Sequence, residues 1–116
     1  MSAPLPATGL QLRSLLRDSG EIEISLAEVP VALPGPGEVL VRVEAAPINP
    51  SDLGLMLGPA NVAAGRAGGT SASPCFTAPV PQATMTALAA RVGLSLPVGN
   101  EGAGTVIAAG EGAGHL

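Results

Sequence analysis

The chain is nearly without aromatic side chains: Phe76 is the only Phe, and there is no Trp or Tyr. Aromatic rings bury the most area per residue, so their scarcity excludes a core built on large rings and leaves Ala, Val and Leu to supply it. Cysteine is scarce too. Cys75 stands alone, which excludes an internal disulfide and is compatible with a reducing compartment. With one histidine, His115, and no paired neighbour at ligand spacing, a metal site built on Cys75 and His115 has little support. Positive charge is low: five Lys and Arg against nine Asp and Glu give a net charge of −4. The five are spread along the chain and form no phosphate-binding stripe, so nucleic acid is not expected as a partner. No run approaches the roughly 18 apolar residues of a membrane span. The stretch from Met1 to Gly9 lacks a basic segment followed by an apolar one, so no signal peptide is read. These absences describe a soluble, cytoplasmic protein with no membrane partner.

What the chain has in quantity is Gly and Pro, 16 and 12 of 116 residues. They cluster between apolar runs, the pattern of turns and loops. The length fits one domain. A small aliphatic core in a loop-rich chain predicts low stability for this piece alone.

Periodicity places the elements. Residues 10–16 read as a first strand, and Asp18-Ser19-Gly20 as a turn. Glu21 to Val29 alternates, with Ile22, Ile24 and Leu26 on one side and Glu21, Glu23 and Ser25 on the other, so a hairpin with the first run is expected. Three prolines between Pro30 and Pro36 exclude helix and central strand there. Glu38 to Ala46 alternates again, Val39, Val41 and Val43 forming one face. Pro50, Ser51 and Asp52 suit a helix start, which predicts a short helix over Ser51 to Leu57. Residues 58–80 are Gly-, Ala-, Ser- and Pro-rich and read as a long surface loop. Residues 81–92 recover helical spacing, with Met85, Leu88, Ala89 and Val92 on one face, Pro81 at the start and Gly93 as C-cap. Thr105 to Ala109 is β-branched and reads as a last strand.

Three segments, in order, carry a family resemblance: Pro34-Gly35-Pro36-Gly37-Glu38-Val39-Leu40-Val41-Arg42-Val43, then Ala45-Ala46-Pro47-Ile48-Asn49-Pro50-Ser51-Asp52, then Gly99-Asn100-Glu101-Gly102-Ala103-Gly104-Thr105-Val106. Together they resemble the N-terminal catalytic domain of the medium-chain dehydrogenase/reductase superfamily, over about residues 10 to 110. The Asn-Pro-Ser-Asp segment is similar to the zinc-independent quinone oxidoreductase branch. The resemblance implies a mainly β fold with one or two short helices: a partly open GroES-like β-barrel, truncated before the Rossmann half. Residues 1–9 would be an N-terminal tail, and 10–116 an incomplete substrate-side domain with a loop and helix insertion at about 58–97. The 58–97 region departs from the family pattern in its length and in lacking a tyrosine proton donor.

Zinc-dependent members of the superfamily place a catalytic Cys where Asn49 stands and a His ligand where Asn100 stands. Both positions are amides here, and Asn is a poor zinc ligand beside thiolate or imidazole. The resemblance therefore implies a zinc-free enzyme using NADPH or NADH, bound mainly by a domain absent from this chain, to reduce a quinone or conjugated carbonyl. It implies a homodimer for the complete enzyme.

Asn49 is the candidate catalytic residue, its amide donating to a developing enolate oxygen. The plainer alternative is an Asn that satisfies backbone groups in its turn. Ser51, Asn100 and Glu101 are candidate substrate-binding residues. Ser51 and Asp52 could equally cap a helix, and Glu101 could simply hold its glycine-flanked turn. The glycines from Gly102 to Gly114 do not make a dinucleotide fingerprint, which needs strand, G-x-G-x-x-G and then helix. A non-enzymatic class remains beside the oxidoreductase: a truncated product, or an interaction module with exposed strand edges.

Overall fold

The computed structural model describes residues 4–116 and is mainly β, with seven strands in two open sheets and two short helices among those residues. The strands are β1 (Thr8–Leu16), β2 (Glu21–Pro30), β3 (Val39–Ala45), β4 (Arg66–Gly69), β5 (Pro74–Pro79), β6 (Ser95–Pro97) and β7 (Ala103–Ala109). The helices are α1 (Pro50–Leu57) and α2 (Gln82–Met85). Five strands form one sheet in the order β4-β5-β2-β1-β6, and β3 pairs with β7 in a separate two-stranded sheet. The chain divides into two compact units. One holds Leu10–Ala27 and Ile48–Gly99; the other holds the described residues up to Gly9 together with Glu28–Pro47 and Asn100–Leu116.

In the first unit, the expected hairpin forms around Asp18-Ser19-Gly20. Gly20 takes φ 86°, and the Gly20 amide donates to Arg17 O at 3.1 Å. A positive φ of that size is where glycine is favoured. The alternation of β2 is realised in part: Ile24 and Leu26 are half-buried, as are Glu21, Glu23 and Ser25. Ile22 is buried, whereas Glu21 and Glu23 on the other face pair with Arg66 and Arg17, each at 2.9 Å. β5 lies antiparallel to β2 with Ile22 opposite Ala78 and Ile24 opposite Phe76. Leu16, Ile22, Ala78 and Val80 make the core, and Met85, Leu88 and Val92 pack against it as the helical spacing predicted. Ala89 is exposed.

The segment 58–97 differs most from expectation. Residues 58–80 are not one long loop: Arg66–Gly69 and Pro74–Pro79 form a hairpin that extends the sheet beyond β2, and later in the segment Ser95–Pro97 pairs with β1 at the other edge. The turn at Thr70 to Ser73 closes through two main-chain hydrogen bonds and one from the Ser73 amide to Thr70 Oγ1 at 3.0 Å. The expected helix over 81–92 is interrupted. It runs Gln82–Met85, then a 3₁₀ turn covers Ala89–Arg91. The stretch 1–9 is not all tail: β1 starts at Thr8, and Val31 donates to Ala7 O at 2.9 Å. Residues 1–3 lie outside the described residues.

In the second unit, β3 and β7 run antiparallel with Val41 opposite Val106 and Arg42 opposite Thr105. The face formed by Val39, Val41 and Val43 is largely open, with Val43 61% exposed. Ala113 is the buried apolar residue here.

The one aromatic ring depends on a glycine. A Cβ on Gly65 would lie 2.1 Å from Phe76 Cζ. Gly65 has φ −73°, which alanine tolerates, so the conflict is steric and not conformational. Gly65→Ala should therefore lower unfolding stability by about 1–3 kcal/mol, the range for overpacking a core. A urea midpoint equal to that of the parent chain would show that the ring does not rest on this backbone.

Candidate functional site

The Asn-Pro-Ser-Asp segment becomes the N-terminus of α1. Asn49 is the N-cap, extended at φ −97°, ψ 158°, and Pro50 occupies the first helical position. Proline suits that position because its missing N–H is one the helix leaves unpaired anyway. The Asn49 amide donates to Asp52 Oδ2 at 2.8 Å, and the Asp52 amide donates to Asn49 O at 2.9 Å. The Asn49 side chain faces the Asp52 backbone amide and completes a capping box with the carboxylate arm. Asp52 is 5% exposed, which fits the structural role open to it from sequence. Ser51 is exposed on the first turn.

The other end of α1 is held by residues that periodicity did not single out. Its last four carbonyls each have a donor. Gly54 O accepts from the Gly58 amide at 3.0 Å, and Leu57 O accepts from the Ala60 amide at 3.0 Å. Met56 O accepts from Ser14 Oγ at 2.7 Å. Leu55 O accepts from Arg91 Nη2, which also donates to Ser14 Oγ at 2.8 Å. Ser14 is fully buried. α1 has no basic residue in its own last turn, and Arg91 supplies the missing cation from the 3₁₀ turn at Ala89–Arg91. Burial lowers the Arg91 pKa from its ordinary value, because desolvation disfavours the cation. The group is still a cation at neutral pH, since arginine is not deprotonated in proteins. Its Nε is buried and makes no hydrogen bond among the described residues. The sequence signal for the pair was a serine and an arginine set among apolar neighbours, Ser14 before Leu15 and Leu16 and Arg91 between Ala90 and Val92.

Asn100 and Glu101 lie just before β7 in the other unit, both exposed. Gly99 takes φ 106°, a conformation that favours glycine. A Cβ on Gly102 would meet Val43 Cγ1 at 3.3 Å, so this glycine lets β7 lie close to β3. Asn49 and Ser51 are thus brought together on one helix turn; Asn100 and Glu101 are neighbours in the other unit.

An open depression of about 450 Å³ lies beside the β1–β2 turn, lined by Leu15, Arg17, Asp18, Ser19, Val92 and Gly93. None of the four candidate residues lines it. The described residues hold no group of three His, Cys, Asp or Glu side chains placed to grip a metal ion. No helix among them is long and apolar enough to cross a membrane. Comparison of the chain with protein-family models and with the curated proteins returns no match.

The Arg91 contact makes a prediction about α1. Arg91→Met keeps the bulk but removes every donor, leaving Leu55 O without its partner. Stability should fall by about 1.5–3 kcal/mol, the range for a hydrogen bond to a charged group. Hydrogen exchange should accelerate first in the α1 amides. Unchanged α1 protection in a stable Arg91→Met chain would remove the guanidinium from its anchoring role.

Proposed function

We propose that this chain is the substrate-side part of a zinc-free, NAD(P)H-dependent oxidoreductase that reduces quinones or conjugated carbonyls, built on a GroES-like domain. One observation carries the reading: amides stand at Asn49 and Asn100, where the zinc-dependent members of the resembled superfamily carry metal-binding residues. The mainly β architecture is compatible with it.

Asn49 is assigned the carbonyl. A capping asparagine uses Oδ1 as acceptor and keeps both Nδ2 protons for another partner. Helix capping and carbonyl polarisation therefore draw on different atoms of one amide, and the two readings of Asn49 do not compete. The donated bond would strengthen as negative charge grows on the substrate oxygen, which is the condition for speeding the chemical step. Ser51, Asn100 and Glu101 are assigned to substrate contact by the resemblance alone.

The glycines after Asn100 do not fit a phosphate cradle. A Cβ on Gly104 would lie 1.9 Å from Arg42 O, and one on Gly110 1.9 Å from Gly35 O, so the space beside each is already taken by this chain's own backbone. By the resemblance, the nicotinamide cofactor is assigned mainly to a domain outside these 116 residues.

The decisive variant is Asn49→Asp, made in the complete polypeptide. Aspartate caps a helix as well as asparagine does but offers no N–H. Quinone-dependent NADPH oxidation should fall roughly 100-fold in kcat, as when one oxyanion donor is removed. The thermal midpoint should stay within a few degrees of the parent. Parent-like turnover by Asn49→Asp, or failure of the complete polypeptide to oxidise NADPH with any quinone or enone, would overturn the assignment. Calorimetric titration of NADPH into the 116-residue chain should give no binding heat.

A further inference from the structure

The two-stranded sheet leaves one edge of β3 unpaired among the described residues, since β3 pairs with β7 alone. Residues 41–45 of that strand are all exposed. On one face lie Val41 and Val43, at 38% and 61% exposure, with Val106 opposite Val41. On the other lie Arg42 and Glu44, whose side chains are 63% and 56% exposed and 3.8 Å apart. Glu44 sits at a register irregularity between Val43 and Ala45, and its Oε1 accepts from Thr105 Oγ1 at 2.8 Å.

A bulge and charged side chains ordinarily guard an edge strand against pairing. Here the charges are of opposite sign and symmetric about Val43. When a second copy of the strand is laid antiparallel with Val43 against Val43, each Arg42 falls opposite the other copy's Glu44, and each Val41 opposite the other's Ala45. The charges then attract where like charges would repel. A two-fold axis through the Val43 pair, perpendicular to the sheet, keeps the same face up in both copies. The three valines of each copy then form one apolar strip across four strands, β7-β3-β3-β7. A two-stranded sheet is marginal alone, whereas three or more strands with an apolar face can be stable, so the pairing also meets a need of this unit.

We propose that the free edge of β3 pairs with β3 of a second copy of this chain, with Arg42 of each opposite Glu44 of the other. The contact is short, and the dimer is weak and concentration-dependent, as expected for an interface well below the standard size. It is independent of the oxidoreductase reading, which turns on Asn49.

Sedimentation equilibrium on the 116-residue chain tests it. The weight-average mass should rise from monomer towards dimer with concentration, and the rise should weaken with added salt. Arg42→Glu and Glu44→Arg should each reduce association at least tenfold. The double exchange, Arg42→Glu with Glu44→Arg, should restore it, a result that general misfolding or aggregation cannot produce. A second measurement does not depend on those variants. In a Cys75→Ser background, Val43→Cys should oxidise to a covalent dimer, because paired antiparallel residues have Cα separations of about 4.5–5.5 Å, within disulfide range. Leu33→Cys, exposed but off the strand, is the control. Mass equal to monomer at every concentration overturns the proposal. So does association indifferent to the single charge reversals, which would mean the valine strip is covered some other way, and so does crosslinking at Val43 no faster than at Leu33.

Discussion

The placement of Asn49 depends on a guanidinium at the far end of the helix it caps. α1 has eight residues, so Arg91 holds the helix about 12 Å from Asn49. Four C-terminal carbonyls are left unpaired by any helix, and here Ser14, Gly58, Ala60 and Arg91 take one each. The arrangement has a cost. Arg91 Nε is buried without a partner, a loss of about 1–3 kcal/mol. Against it stand two charge-assisted bonds from Nη2 and the attraction between a cation and the negative end of the helix, about 0.3–2 kcal/mol. Removing the arginine would leave a carbonyl and a fully buried hydroxyl short of a partner, so the network is favourable in spite of its unsatisfied nitrogen.

That anchor also explains the interrupted second helix. The spacing of residues 81–92 was helical and correctly found the face of Met85, Leu88 and Val92 that meets the core. The backbone leaves the α-helix after Met85 because tertiary bonds compete for its end. Leu16 bridges to Val92, Leu16 O accepts from the Gly93 amide at 2.9 Å, and Arg91 must reach α1. A tight turn at Ala89–Arg91 allows all three. Propensity is a weak prior that such contacts override.

Legibility in the sequence followed side-chain size. β2 and β3 were readable because apolar and polar residues alternate there, β1 from its leucines, β7 from its β-branched Thr105, Val106 and Ile107, and α1 because Pro50 and Asp52 mark a helix start. β4 and β5 were not. Arg-Ala-Gly-Gly has no apolar period, all four residues are exposed, and Pro74 at the head of β5 spoke against a strand. Gly65 and Gly68 read as loop residues, yet their sequence signal was close packing, against Phe76 and Cys75. The exposure of the β3 valines was not legible either. Period two shows that a strand has two unlike faces, but not that anything covers the apolar one. For the candidate site, motif order picked out Asn49, Ser51, Asn100 and Glu101, and local geometry explains Asn49 and its neighbour Asp52 as a cap. Ser14 and Arg91 escaped notice because periodicity weighs apolar positions and passes over the polar residues set among them.

The electrostatics around Asn49 decide what could act on a substrate oxygen there. A helix N-terminus carries roughly half a positive charge, which would favour a developing anion. Asp52, however, brings a full negative charge to the same turn, accepting from the Asn49 amide at 2.8 Å. The carboxylate offsets the partial charge of the helix end. Any stabilisation must be short-range and directional, which is what a carboxamide N–H offers and a macrodipole does not. The same carboxylate fixes the turn that sets the direction of that N–H. Asp52 would thus weaken the field at Asn49 while fixing its geometry, and a catalytic role for Asn49 requires geometry to matter more.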